Sequence, residues 1–261
     1  IDLSPFISYR AGMDARTRRT LSLRLVRWYA LHRRDLPWRR MADPYAVWVS
    51  EIMLQQTRIE TVIPYYLAFM ARFPAVSDLA GASLDEVLKS WENLGYYLRA
   101  RILHRAARVV VEEHGGCIPD DEKALRSLPG IGKYTAGAIL SIAFGKRIPA
   151  LDGNAERVLA RIFAVETPAD TPAGKRELEG FGRELVPRKD PGTFNQALME
   201  LGALVCLPRK PSCPSCPVGD RCEGRRRGIG ESLPAKRKKP SVPRKVAVAA
   251  ILRSAGGRYF V

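Results

Sequence analysis

An all-α fold is predicted for the body of this 261-residue chain, and three observations predict it. Apolar residues recur at helical spacing from residue 14 to about residue 205. Helix signals punctuate those stretches: Pro44 at a first turn, the capping box Ser83-Leu84-Asp85-Glu86, and glycine stops at Gly95 and Gly115-Gly116. Strand-like alternation appears only at the end, over 245–261. The length suits one or two domains and is enough to bury a core.

Lys and Arg exceed Asp and Glu by 16. That excess favours a polyanionic partner, nucleic acid first, with a basic enzyme on an unrelated substrate as the alternative. No apolar run approaches the roughly 20 residues that span a bilayer. Residues 1–13 lack the layout of a secretory signal, so the chain is expected to be cytoplasmic; Met13 is a candidate start.

Residues 14–34 carry Leu21, Leu25, Trp28 and Leu31 at helical spacing, with Arg and His gathered at the C-terminal end. Leu36-Pro37-Trp38-Arg39 breaks that helix. Trp38 and Arg39 are either cleft residues or a packed ring beside a solvated cation. Over 44–72 a helix starts at Pro44 and is interrupted at Pro64. Glu51 lies among Val47, Trp48, Val49, Ile52, Met53 and Leu54. Such company desolvates a carboxyl and raises its pKa, which prepares a general acid; a solvent-facing place on an amphipathic helix is the other reading. Gln55-Gln56-Thr57 offers amides and a hydroxyl to bases or phosphate, or merely ends a helix. The helix opened by Ser83 should stop at Gly95. Tyr96 and Tyr97 then precede a basic helix reaching His114. With Arg99 and Arg101 they form a stacking and phosphate platform or a solvated face. His104 and His114 read as ordinary helix residues, and Asp120 or Asp121 caps the next short helix.

Residues 128–154 are the densest stretch. Gly130 and Gly132 in LPGIG sit in a tight turn between helices and present backbone N–H groups to an anion, or simply connect the helices. KYTAGAILSIAFG follows as a buried Ala/Gly-rich helix. Asp152 precedes another helical run, a place for an N-cap that is compatible with a catalytic carboxylate. Residues 167–192 are loop-like with a short helix near 174–186, and 194–205 form a helix ending at Cys206. Of five cysteines, Cys206, Cys213, Cys216 and Cys222 are crowded together. Four thiolates so placed close around zinc or an iron–sulfur cluster, and a single CxxC pair in a wide loop leans to the larger cluster. Cys117 stands apart as a structural residue. Residues 225–245 have linker composition, or serve as a phosphate-hugging arm. Residues 245–261 read as a hairpin turning at Gly256-Gly257 that opens a second, β-containing unit.

LPWR at 36–39, SEIMLQQT at 50–57, NLGYYLRAR at 93–101, LPGIGKYTAGAIL at 128–140, LDGN at 151–154 and the four-cysteine loop occur in this order. Together they resemble the iron–sulfur helix-hairpin-helix DNA glycosylases, relatives of endonuclease III, and among these the MutY-type adenine enzymes. The resemblance covers roughly residues 20–225. It implies two helical domains flanking a cleft: a six-helix barrel with the hairpin over 42–146, and a [4Fe–4S] cluster domain over 14–41 and 147–225. Residues 1–13 would be a tail, 226–243 a basic interdomain linker, and 244–261 the truncated start of a Nudix-like C-terminal β-domain.

The resemblance also implies roles. Glu51 would protonate adenine N7. Asp152 would stabilise the oxocarbenium-like sugar and help water attack C1′, a logic close to two-carboxylate glycoside chemistry. Tyr134 stands where the endonuclease III type carries its Schiff-base lysine, with Lys133 one place early. This departure points to a monofunctional glycosylase, with Tyr134 positioning the carboxylates or water. Asn154 would support Asp152, Trp38 and Arg39 would wall the pocket, and Gln196 would touch the flipped adenine. Gln56 and Tyr96 would wedge into the duplex, while Thr57 and Leu94 meet the opposite guanine or 8-oxoguanine. Gly130, Gly132 and Lys133 would grip a phosphate, with a monovalent cation. Cys206, Cys213, Cys216 and Cys222 would hold the [4Fe–4S] cluster. The partner would be double-stranded DNA with A:8-oxoG or A:G mispairs, its adenine flipped out, and the protein a monomer with no membrane partner. Three rivals fit some of the residues: a thymine glycosylase for T:G mispairs, which shares the tyrosine; a non-catalytic iron–sulfur mismatch sensor; and a zinc-stapled basic helical protein. Glu51 within its motif favours adenine over thymine. The pair Glu51 and Asp152 speaks against a sensor.

Overall fold

The computed structural model describes residues 14–237, 252–253, 255–256 and 259–260. The expected tail, with Met13, the last part of the linker (238–243) and most of the C-terminal unit lie outside the described residues. Helix α1 (Ala15–His32) starts where the Asp14 carboxylate accepts from the Thr17 N–H. Its buried stripe is Leu21, Leu25, Trp28 and Tyr29; Leu31, expected on that stripe, is 82% exposed because Tyr29 takes the place beside Trp28. Helix α2 (Pro44–Leu54) is capped by Asp43 and has Pro44 at its first position. Helix α3 (Ile59–Arg72) runs through Pro64 instead of being interrupted there. The proline removes one backbone donor near the helix start, and burial of Val62, Tyr66 and Phe69 holds the rest.

Helix α4 spans Val76–Gly81, and α5 (Leu84–Ser90) carries the expected capping box of Ser83 and Glu86. It stops short of Gly95, because Trp91 turns fully into the core and its Nε1 donates to the Gly95 carbonyl at 3.1 Å. Helix α6 (Leu98–His114) ends at left-handed Gly115, and α7 (Glu122–Ser127) is capped by Asp121. Helices α8 (Lys133–Ile142), α9 (Gly153–Ile162), α10 (Pro172–Leu185) and α11 (Pro191–Leu204) follow. Helix α10 is a full element where a short one was expected, since Thr171 caps it and Pro172 fits its first turn. Beyond the cysteine loop lies α12 (Glu223–Arg226). Strands β1 (Leu252–Arg253) and β2 (Tyr259–Phe260) pair antiparallel, Leu252 opposite Phe260. Cys117 is exposed, so it is not a core residue.

Two apolar cores form. Helices α2 to α8 enclose the first around Trp48, Phe69 and Trp91. Leu36 and Trp38 pack into this core, although their segment was expected with the cluster domain. Helices α1, α9, α10 and α11 enclose the second around Leu21, Leu159 and Phe194. Across the boundary, Asn195 on α11 donates to the Ser141 hydroxyl at 2.8 Å and to the Ile148 carbonyl at 2.9 Å. Among the described residues no helix is long and apolar enough to cross a membrane.

Candidate active site

A cleft of about 380 Å³ opens where the two cores meet, and Glu51, Tyr134, Asp152, Asn154, Trp38, Arg39 and Gln196 all line it. Helix α2 is buried from Tyr45 to Met53 and has no solvent face to offer Glu51. The carboxyl therefore lies inside, at 8% exposure, and burial pushes its pKa up to about 7. The Tyr134 hydroxyl, delivered by the first turn of α8, donates to Glu51 Oε2 at 2.5 Å and partly opposes that rise. Burial, then the Glu51 charge, raises the Tyr134 pKa, so this phenol stays a proton donor.

Asp152 is the N-cap of α9. Its Oδ1 accepts from the Ala155 N–H at 2.7 Å and its Oδ2 from Asn154 Nδ2 at 2.9 Å. Burial raises its pKa, and these two bonds oppose the rise. Asn154 is in turn held by Arg157, which donates to Asn154 Oδ1 at 2.8 Å and to the Gly202 carbonyl at 2.8 Å. A side chain at Gly202 would put its Cβ 2.6 Å from the Asn154 Cβ, so the glycine lets α11 close on this corner.

Glu200 was not singled out from sequence. It is 1% exposed and accepts from Arg34 Nε at 3.0 Å, Arg34 Nη2 at 2.8 Å and Arg39 Nη2 at 2.8 Å. Burial alone would raise its pKa; the bonds from Arg34, then Arg39, bring it down to about 2. A lone carboxylate inside FNQALMELGAL, below an Arg-rich turn, was the available signal. Gln196, one helical turn earlier, accepts from the Tyr29 hydroxyl at 3.0 Å.

In the turn between α7 and α8, Gly130 adopts φ 76°, a conformation open to glycine. Gly132 is the N-cap of α8 and supplies no side-chain cap to its first-turn amides. The Lys133 ammonium pairs with Glu179 of α10. Gln56 and Tyr96 are exposed and both have positive φ, 58° and 50°. Leu94 is 5% exposed, packs into the first core and donates its backbone N–H to the Trp91 carbonyl at 3.1 Å, so it is not at the surface. The expected platform loses one cation: the Arg99 guanidinium is turned inward on the Met53 carbonyl at 2.8 Å and the Thr57 hydroxyl at 3.0 Å.

Cys206, Cys213, Cys216 and Cys222 line one small cavity with Val158, Ile162, Leu201, Val205 and Val218. Burial, then the neighbouring cysteines, raises the Cys216 thiol to about 12 and also lifts Cys222. Arg161, 3% exposed, reaches in to Cys206 Sγ at 3.3 Å and to the carbonyls of Leu207, Pro208 and Leu233 at 2.6, 2.9 and 3.1 Å. It has no carboxylate partner among the described residues.

Residues 49–184 match the family of HhH-GPD superfamily base excision DNA repair proteins. The chain is 49% identical to a human adenine DNA glycosylase over 218 residues, which is 80% of this chain and 40% of the relative. It is 42% identical to an adenine DNA glycosylase of Mycolicibacterium smegmatis over 214 residues, 82% of this chain and 72% of that protein. The chain belongs to the adenine DNA glycosylase family of the HhH-GPD superfamily. It spans about two-fifths of the human relative's length. A solved thermostable thymine-DNA glycosylase superposes with a TM-score of 0.75 at 32% identity, covering 82% of this chain and all of that one, so the adenine family shares its helical frame. Adenine DNA glycosylases typically carry a [4Fe–4S] cluster. The donor set here fits one: four thiols on one apolar cavity beside a buried cation that lacks a carboxylate. Among the described residues, no three His, Cys, Asp or Glu side chains are arranged to hold a single metal ion.

Proposed function

We propose that this chain is a monofunctional adenine DNA glycosylase of base excision repair. It hydrolyses the N-glycosidic bond of adenine opposite 8-oxoguanine or guanine, after the adenine has been flipped into the cleft. The observation that carries the proposal is Glu51, a buried carboxyl near pKa 7 in contact with Tyr134 and in the same cleft as Asp152. Glu51, protonated, gives its proton to adenine N7 and makes the base a better leaving group. Asp152, ionised at the N-terminus of α9, stabilises positive charge on the sugar and guides water to C1′. Tyr134 positions Glu51, and Asn154 positions Asp152. Trp38, Arg39 and Gln196 wall the base, and the Glu200 carboxylate holds Arg34 and Arg39 in that wall. A tyrosine, not a lysine, touches Glu51, which supports hydrolysis without a Schiff base and strand cleavage.

Double-stranded DNA is the partner. Gly130, Gly132 and Lys133 take a phosphate, with a monovalent cation on the hairpin carbonyls, and Gln56, Thr57, Leu94 and Tyr96 meet the helix and the opposite base. The first core is the barrel domain. The second is the cluster domain, where Cys206, Cys213, Cys216 and Cys222 hold a [4Fe–4S] cluster. When bound, its iron–thiolate bonds pin the loop over 206–222. Iron and acid-labile sulfide in the purified protein support this assignment, and zinc alone contradicts it.

Likeness to the thymine-DNA glycosylase favours a second reading, thymine release from T:G. Single-turnover base release from A:8-oxoG, A:G, T:G and A:T duplexes separates the two. Adenine release from the first two, lost in Glu51→Gln, is the expected result. Thymine release moves the assignment to the other branch, and no release from any duplex refutes both.

A further inference from the structure

Two tips are bridged by one side chain: residues 55–57 between α2 and α3, where Gln55 and Thr57 line the cleft and Gln56 is exposed, and residues 95–97 between α5 and α6, where Tyr96 and Tyr97 are exposed. Each tip holds a non-glycine residue in the left-handed region, Gln56 at φ 58° and Tyr96 at φ 50°. Such conformations persist only where surrounding bonds fix them. One side chain serves both tips. Arg99 Nη1 donates to the carbonyls of Ile52 at 3.1 Å, Met53 at 2.8 Å and Gln55, at the C-terminal end of α2. Arg99 Nη2 donates to the Thr57 hydroxyl at 3.0 Å and to the Gly95 carbonyl at 3.2 Å. Its guanidinium also lies 5.3 Å from the Tyr96 ring centroid and 5.5 Å from that of Trp91. Arg99 is half-buried and has no carboxylate partner among the described residues. Its charge is spent on helix-end carbonyls and ring faces.

We propose that Arg99 is a positioning residue that clamps the two tips into one rigid wedge, so that Gln56 and Tyr96 enter the duplex together when the target base leaves the stack. The inference rests on the proposed DNA-glycosylase reading and deepens it. Only a planar fork with several donors can meet acceptors on both tips; an ammonium at the end of a lysine reaches one cluster at a time. Arg99 would thus act on the flipping step and not on the bond-breaking step.

The test compares two substrates under single turnover: adenine opposite guanine in a duplex, and adenine already out of the stack in a bulge. Arg99→Lys should cut excision from the duplex by about 30-fold or more, the scale of a few kcal/mol of unstacking, and excision from the bulge by no more than about 3-fold. Arg99→Gln, whose single amide can donate to one tip but not to both, should give a like loss confined to the duplex. Fluorescence of 2-aminopurine at the target site should report less unstacking in both variants. Equal losses on the two substrates, or no loss on either, overturn the clamp. If Arg99→Lys fails to fold by circular dichroism, Arg99→Gln and its 2-aminopurine signal decide. Failure of the wild-type chain to release adenine from either substrate would instead refute the underlying activity.

Discussion

The two walls of the cleft each bury a glutamate, and they treat it in opposite ways. On the α2 wall Glu51 sits among apolar side chains with a neutral phenol for a partner, and its pKa climbs to about 7. On the α11 wall Glu200 is likewise shut off from solvent, yet two guanidinium forks hold it ionised, with a pKa of about 2. Burial is common to both, so the partner decides the charge: a hydroxyl leaves a proton donor in place, and a pair of arginines makes a fixed anion. One wall is built to give a proton and the other to hold its shape.

That contrast can be broken from either side. The largest effect should come from Glu51→Gln, which removes the proton donor and should lower adenine release by about 10³-fold or more in single-turnover assays while duplex binding persists. The same substitution should stabilise the fold. A carboxyl whose pKa is raised in the folded state supports folding below its unfolded pKa of about 4.5 and loses that support as pH rises through about 7. Urea unfolding at pH 8 should therefore favour Glu51→Gln over the parent by about 3 kcal/mol, with little difference at pH 4. Glu200→Gln should do the reverse. Its depressed pKa gives stability above about pH 4.5 that fades as pH falls through about 2. The variant should lose about 2–4 kcal/mol at pH 7, because Arg34 and Arg39 keep their charge without their anion.

A smaller effect tests the support of Asp152. Arg157→Gln frees Asn154 and should slow excision by about 10-fold, a loss of roughly one well-placed charged hydrogen bond, with A:G binding unchanged in gel shift. The smallest expected change on catalysis sits farthest from the bond. Oxidative removal of the proposed cluster should make residues 206–233 sensitive to protease while the first core stays protected, since Arg161 would lose an anionic neighbour there.

Much of this was legible in the chain. Glu51 could be read as desolvated because α2 is apolar on all sides, and Asp152 as an N-cap because it stands directly before a helical run. The cysteine spacing announced that four thiols would come together, and they line one cavity. What escaped was the work of arginines. Arg34, Arg99, Arg157 and Arg161 look like solvated helix residues in one dimension, and their roles come from carbonyls and carboxylates brought up by other elements. Pro64 misled for the opposite reason, since a local signal for a break was overridden by the burial of Tyr66 and Phe69, and Gly95 misled because the burial of Trp91 ended the helix before the glycine was reached.

The most direct measurement is the pH dependence of single-turnover adenine release from an A:G duplex, in the parent chain and in Tyr134→Phe. The account predicts a rate that falls through a one-proton limb near pH 7 as Glu51 ionises. In Tyr134→Phe the limb should move upward, because the hydroxyl that favours the carboxylate is gone. A rate that stays flat from pH 5 to about 9, or a limb that moves downward in the variant, would contradict Glu51 as the proton donor.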